Sequence, residues 1–291
     1  MAAYINPVSD FFVRYLLGSE SNKEILIDFI NTVLLDLYPD FEIICDITIL
    51  NPFNQTVLNL EKESILDVKA QDRLKRIYNI EIQVARQSEF KERSLYYWAK
   101  LFSGQLAKGD EYKTLNPVIS INLLDFILFP EMKKPHNCFT AIDDRTKSVV
   151  LSNMMQIHYF ELPKMDEEPD NLAESRLARW AFYFKNEGRI DENELKRLIV
   201  EGDPVMEKAH DAYKDFSMSD ELIEAYEAHQ KYLRDKAAEI DFARKEGLEL
   251  GIEKTNLKNA KAMEQEGISY EIIQKVTGIS EQQLKEGNKE L

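Results

Sequence analysis

Asp67, Lys69, Glu81 and Gln83 are the residues of this chain whose types and spacing could do chemistry. The first two stand in the run Ile65-Leu66-Asp67-Val68-Lys69-Ala70, the others in Tyr78-Asn79-Ile80-Glu81-Ile82-Gln83-Val84. Side chains of a strand alternate between faces. On two antiparallel strands Asp67, Lys69, Asn79, Glu81 and Gln83 therefore share one face, and Leu66, Val68, Ala70, Tyr78, Ile80, Ile82 and Val84 share the other. With residues 72–76 as the turn, Asp67 falls opposite Glu81 and Lys69 opposite Asn79, each pair with Cβ atoms roughly 4.5–5.5 Å apart. Two carboxylates at that distance repel. They are tolerated when both are solvated, when one is protonated, or when a divalent cation lies between them, and only the last option gives them chemistry.

The elements that must position these groups follow from the pattern around them. A helix is expected over residues 88–108, with Leu95, Trp98, Ala99, Phe102 and Leu106 on one side and Arg93, Tyr97, Lys100, Gly104 and Lys108 on the other. Arg93, Tyr97 and Lys100 then form a basic, aromatic stripe, which is either a solvated face or a surface that holds phosphate. Upstream, residues 9–17 and a segment opened by the Ser21 to Glu24 capping box read as helices, the second with the helical period Ile25, Leu26, Phe29, Ile30, Val33, Leu34. Strands are expected over residues 42–50, 118–124, 148–151 and 156–162. The order is mixed rather than alternating, which gives an α/β core of modest size.

A Pro-bounded stretch with the acidic run Asp166, Glu167, Glu168 reads as a linker, so the expected domains are 1–165 and 166–291. Beyond it the signals are helical. One long charged helix starts near residue 219 and carries Gly247 and Gly251. Two short terminal helices, the last with a Ser280 to Gln283 capping box, have the form of a helix-turn-helix, but residues 264–291 hold three Lys against six Glu, the wrong balance for reading DNA. Apolar Leu222, Ile223, Ile240, Leu248, Ile252, Ile272, Ile273 and Leu284 in these helices suggest a homodimer or higher homo-oligomer.

At 291 residues the chain can bury a full core. No apolar run is long enough to span a membrane and no secretory leader is apparent, so a cytoplasmic location is expected. Cys45 and Cys138 are too few for a disulfide framework and are expected to be small buried residues, and the four histidines show no zinc spacing. The net charge of −15 argues against nucleic acid as a partner, but its distribution does not: residues 166–291 contribute −11, whereas residues 69–113 carry 10 basic and 6 acidic side chains.

Taken in order, Asp10-Phe11-Phe12, Asn31, Leu66-Asp67-Val68-Lys69-Ala70, Tyr78-Asn79-Ile80-Glu81-Ile82-Gln83, Phe90, Arg93, Tyr96-Tyr97, Gly109, Tyr112 and Pro117-Val118-Ile119 resemble the Rpn family of recombination-promoting nucleases and transposases, within the PD-(D/E)XK nuclease superfamily. The resemblance covers residues 4 to about 130. It implies a restriction-endonuclease-like αβββαβ core and Mg²⁺-dependent (or Mn²⁺-dependent) endonucleolytic hydrolysis of DNA, linked to recombination or mobile elements. It makes Asp67 and Glu81 the metal-binding acids, joined by the carbonyl of Ile82 and, through water, by Asp10. Gln83 stands where the superfamily most often has lysine, and a neutral amide positions water without offering full charge; Lys69 is the nearest substitute on the same face. The alternative is an interaction or regulatory protein that keeps the fold with weak catalysis.

Overall fold

β-branched and aromatic residues at alternate positions build one six-stranded sheet: β1 Ile47–Ile49, β2 Val68–Asp72, β3 Ile77–Gln83, β4 Val118–Leu124, β5 His136–Phe139 and β6 Met155–Glu161, in the spatial order β1-β2-β3-β4-β6-β5. The computed structural model describes residues 4–53, 68–86, 89–165 and 169–287. Ile65, Leu66, Asp67, Ser88 and the acidic run Asp166, Glu167, Glu168 lie outside them. β3 runs parallel to β4, and β4 parallel to β6, while β1/β2, β2/β3 and β5/β6 are antiparallel. Val68 pairs with Ile80 and Lys69 with Asn79, the register expected from a turn at residues 72–76. In that turn Lys75 adopts a left-handed φ of 66°, and Asp72 closes it by accepting from the Arg76 backbone N–H at 2.9 Å.

The helices are α1 Asp10–Gly18, α2 Lys23–Leu37, α3 Phe90–Ser103, α4 Pro169–Glu174, α5 Arg176–Asn186, α6 Glu192–Leu195, α7 Pro204–Met218, α8 Asp220–Gln265, α9 Tyr270–Thr277 and α10 Glu281–Gly287. Ser9 caps α1 by accepting from the Phe12 N–H. The capping box expected for α2 does not form: a 3₁₀ turn at Glu20–Asn22 leads into the helix and Ser21 bonds to the Asn22 side chain instead. The expected strand over residues 148–151 is a single bridge between Ile142 and Val150, and β5 was not foreseen, because His136–Phe139 lacks an apolar alternation.

One sheet face, with Val68, Ala70, Tyr78, Ile80, Ile82, Ile119, Ile121, Leu123 and Phe160, is buried by α1 and α2. α5 and α7 cover α2 and α1 in turn. Phe29 meets Trp180 edge-on at 5.4 Å, and Phe12 meets Tyr213 and Phe216 at 5.4 Å each, geometry that adds to the burial of these rings. Asp28 of α2 accepts from Trp180 Nε1 at 2.9 Å and Arg176 Nε at 2.8 Å. Asp203 takes Arg176 and Arg179 and also caps α7 through the Val205 and Met206 amides. The contacts thus divide the chain into Met1–Glu227 and Ala228–Leu291, so the first compact unit runs well past the boundary expected at residue 165.

In the second unit Ala260, Ile273, Ile279 and Leu284 form a small core, so the two terminal helices pack on the end of α8. The Ser280/Gln283 box forms as expected. Of the apolar residues expected to be exposed, Ile273 and Leu284 are buried there, and Leu222 and Ile223 pack on the first core; Ile240, Leu248, Ile252 and Ile272 are exposed. Gly247 and Gly251 do not interrupt α8. Cys45 is exposed rather than buried, and Cys138 is half-buried.

Beneath β5 and β6 runs a hydrogen-bonded chain. His136 Nδ1 meets Asp36 at 2.7 Å, His136 Nε2 meets His158 Nδ1 at 3.0 Å, and His158 Nε2 meets Cys138 Sγ, itself bonded by Tyr38, at 3.5 Å. Burial, reinforced by His136, drives His158 down from 6.5 to about 3. A depressed base stabilises the fold above its unfolded pKa and loses that contribution as pH falls. As pH falls from 6.5 to 3, stability against urea should therefore drop by at most about 1.4 kcal/mol per pH unit from this imidazole, and His158→Gln should flatten the slope.

Candidate functional site

The second sheet face carries Lys69 on β2, Asn79, Glu81 and Gln83 on β3, Ser120 and Asn122 on β4 and Tyr159 on β6, and α3 lies over it. Toward β4 and β6 this polar band is bordered by a small apolar core: Phe90 packs against Phe126 and Tyr159, and Leu124, Leu128, Phe129 and Ile157 complete it. A helix covering polar side chains must meet them with polar side chains of its own, or leave buried groups unpaired. α3 does so. Ser94 hydrogen-bonds the Tyr159 hydroxyl, Trp98 Nε1 donates to the Val118 carbonyl at 2.9 Å, and Arg93 reaches Glu81.

That requirement corrects the expected helix. The side turned to the sheet is Phe90, Arg93, Ser94, Tyr97 and Trp98, while Leu95, expected in the core, is 48% exposed and Ala99 is exposed as well. The helix ends at Ser103, capped by Gly104, so Leu106 and Lys108 lie beyond it. Arg93 and Tyr97 are therefore half-buried, and only Lys100 of the expected stripe stands in solvent.

Glu81 is 6% exposed. Its Oε1 accepts from Gln83 Nε2 at 3.0 Å and from Arg93 Nη2 at 3.2 Å. The Arg93 guanidinium also lies 5.0 Å above the Phe90 ring, a cation–π contact that helps to place it. Asn122 donates to the His158 carbonyl at 3.0 Å. Two buried polar atoms of the same face, Asn79 Oδ1 and Ser120 Oγ, have no partner among the described residues, although their residues are direct neighbours across β3 and β4. Burial and the nearby charges of Glu81 and Glu92 push the Tyr159 hydroxyl above its ordinary value, against the pull of the Ser94 bond.

Of the residues proposed from sequence, Glu81, Gln83 and Arg93 come together. Lys69 is half-buried opposite Asn79 and makes no ion pair among the described residues. The Ile82 side chain belongs to the opposite core, so only its backbone is available to the polar face. Asp10 sits in the first turn of α1, on the other side of the sheet from α3, and accepts from the Phe11 N–H at 2.8 Å. Asp67 lies outside the described residues. Ser94, Ser120, Asn122 and Tyr159 were missed; the signal was the Ser120/Asn122 alternation inside the strand expected over residues 118–124.

A family model described as PD-(D/E)XK nuclease family transposase matches residues 7–243. The chain belongs to that family. Neither a curated protein nor a solved structure matches it. The mixed six-stranded sheet with its helices agrees with the α/β nuclease fold, and membership makes a nuclease or transposase-like function the ground on which the site is interpreted. No described helix is long and apolar enough to cross a membrane, and no group of three or more His, Cys, Asp or Glu among the described residues is arranged around a metal.

If the α3–sheet contact is built on these polar anchors, Tyr159→Phe should destabilise the protein by about 1 kcal/mol in urea and speed amide exchange in α3 more than in α1.

Proposed function

We propose that this protein is a divalent-cation-dependent endonuclease that hydrolyses DNA phosphodiester bonds in recombination or element mobility. The observation that carries the reading is the buried Glu81 carboxylate on a polar sheet face, with Gln83 and Arg93 converging on one of its oxygens. The family supports nuclease chemistry, and the register of Val68 with Ile80 and Lys69 with Asn79 is the one in which the preceding residue, Asp67, is proposed to join Glu81.

The donor set fits Mg²⁺ or Mn²⁺, since carboxylate and carbonyl oxygens are hard ligands. The unpartnered Asn79 Oδ1 and Ser120 Oγ add buried oxygens on the same face. Asp67, Glu81 and the Ile82 carbonyl would hold the cation; Asp10, on α1 across the sheet, is left out of this set. When bound, the cation supplies a more acidic water and charge stabilisation at the phosphate. The chain's own part is orientation: Gln83 fixes Glu81 and offers its amide to water, Lys69 adds a cation on the same face, and Tyr97 and Lys100 of α3 give the phosphate backbone a hydrogen bond and a charge. The second unit is assigned to assembly, through Ile240, Phe242, Leu248 and Ile252, all exposed on α8.

Supercoiled plasmid with Mg²⁺ tests the site. Asp67→Asn and Glu81→Gln should each slow cutting on the order of 100-fold, the scale of losing one preorganised charged group; rates equal to wild type would refute the assignment. Light scattering at micromolar concentration should give a dimer or larger, and a monomeric mass removes the assembly role.

A further inference from the structure

The polar face poses a charge problem. Glu81 is buried, and an ionised carboxylate out of water needs a compensating positive group or hydrogen bonds. Gln83, one strand pleat away, is neutral. Lys69 is on the right face but opposite Asn79, and it forms no ion pair among the described residues. Arg93 is the cation the described contacts place on Glu81, at 3.2 Å, and it comes from the helix above rather than from the sheet.

Its setting is that of a group able to change partners. The Arg93 side chain is 27% exposed while Nη2 holds the acid. A guanidinium carries five donors in a planar fork whose geometry matches both phosphate and carboxylate. The guanidinium itself rests over the Phe90 ring, which is buried against Phe126 and Tyr159, so the head is held at the edge of the polar face. Lys91 and Lys100 on the same helix are exposed, so a polyanion approaching α3 meets positive charge beside Arg93.

We propose that Arg93 is the mobile positive charge of this site: it neutralises Glu81 in the resting protein and moves to the substrate phosphate when a divalent cation takes the carboxylate, doing from α3 what Gln83 cannot do from β3. This rests on the nuclease reading above. It makes Arg93 a competitor of the cation for Glu81 and a partner of the phosphate, two properties that a fixed structural ion pair would not combine.

The test pairs metal affinity with kinetics on full-length wild type, Arg93→Gln, Arg93→Lys and the double variant Arg93→Gln/Gln83→Lys, each checked for an unchanged circular dichroism melt. Calorimetry with Mn²⁺ alone should show Arg93→Gln binding several-fold more tightly than wild type, because its competitor is gone. Plasmid cutting by Arg93→Gln should fall in kcat with little change in KM, Arg93→Lys should keep part of the rate, and Gln83→Lys should restore at least tenfold of what Arg93→Gln lost. Weaker Mn²⁺ binding by Arg93→Gln, a rise in KM with kcat unchanged, or no rescue by Gln83→Lys would each overturn the exchange while leaving the nuclease reading intact. Failure of the wild type to bind Mn²⁺ and to cut DNA would overturn both.

Discussion

Burying the carboxylate of Glu81 is the constraint on which the rest of the site depends. An ionised oxygen taken out of water must find charge or hydrogen bonds, and here it finds both, in Arg93 and Gln83. Arg93 can act only from α3, so the helix must lie over β3 and present a polar side to it. Once that orientation is set, Ser94 and Trp98 fall where Tyr159 and the Val118 carbonyl can take them. The outward turn of Leu95 is the same fact seen from solvent: hydrophobic periodicity yields where the surface to be covered is itself polar.

The other sheet face obeys the opposite rule. It is apolar over most of its area, where α1 and α2 bury it with Phe11, Phe12, Leu16, Phe29 and Ile30, and polar toward β5 and β6, where His136 links His158 to Asp36. Those helices are in turn apolar on their outer sides, which obliges α5 and α7 to cover them. In that second layer the buried Asp203 also does a backbone job, capping α7 while it pairs with Arg176 and Arg179. Glu161 follows the same pattern at the end of β6: it is fully buried, accepts from the Leu128 and Phe129 amides at 2.6 and 3.0 Å, and is paired with Lys164.

What was legible in the sequence was what depends on period two and on short range. The β2/β3 register, the polar face of β3, the β4 strand and the run of helices after residue 170 follow from alternation, turn residues and caps. What was not legible depended on contacts between distant segments. β5 has a polar pattern because His136 and Cys138 face Asp36, His158 and Tyr38 rather than a hydrocarbon core. The rotation of α3 depended on what lay beneath it, and the reach of the first unit to Glu227 depended on Phe29 meeting Trp180, some 150 residues away. Of the candidate site, the sequence named Glu81, Gln83 and Arg93 but not that they converge on one oxygen atom.

The same pairing changes how the acidic composition should be weighed. A net charge of −15 describes the whole chain, yet exposed charges act over roughly a Debye length, about 8 Å in physiological salt. Within residues 69–113 the balance is positive, and the cations there do not serve alike: Arg76 is spent on Asp72, Arg93 on Glu81, while Lys100 is exposed on α3. A polyanion therefore meets a small basic surface and not a broad basic field. For such a surface geometry has to supply what net charge does not, and a guanidinium tethered over Phe90, already oriented by the acid it neutralises, is a geometric device of that kind.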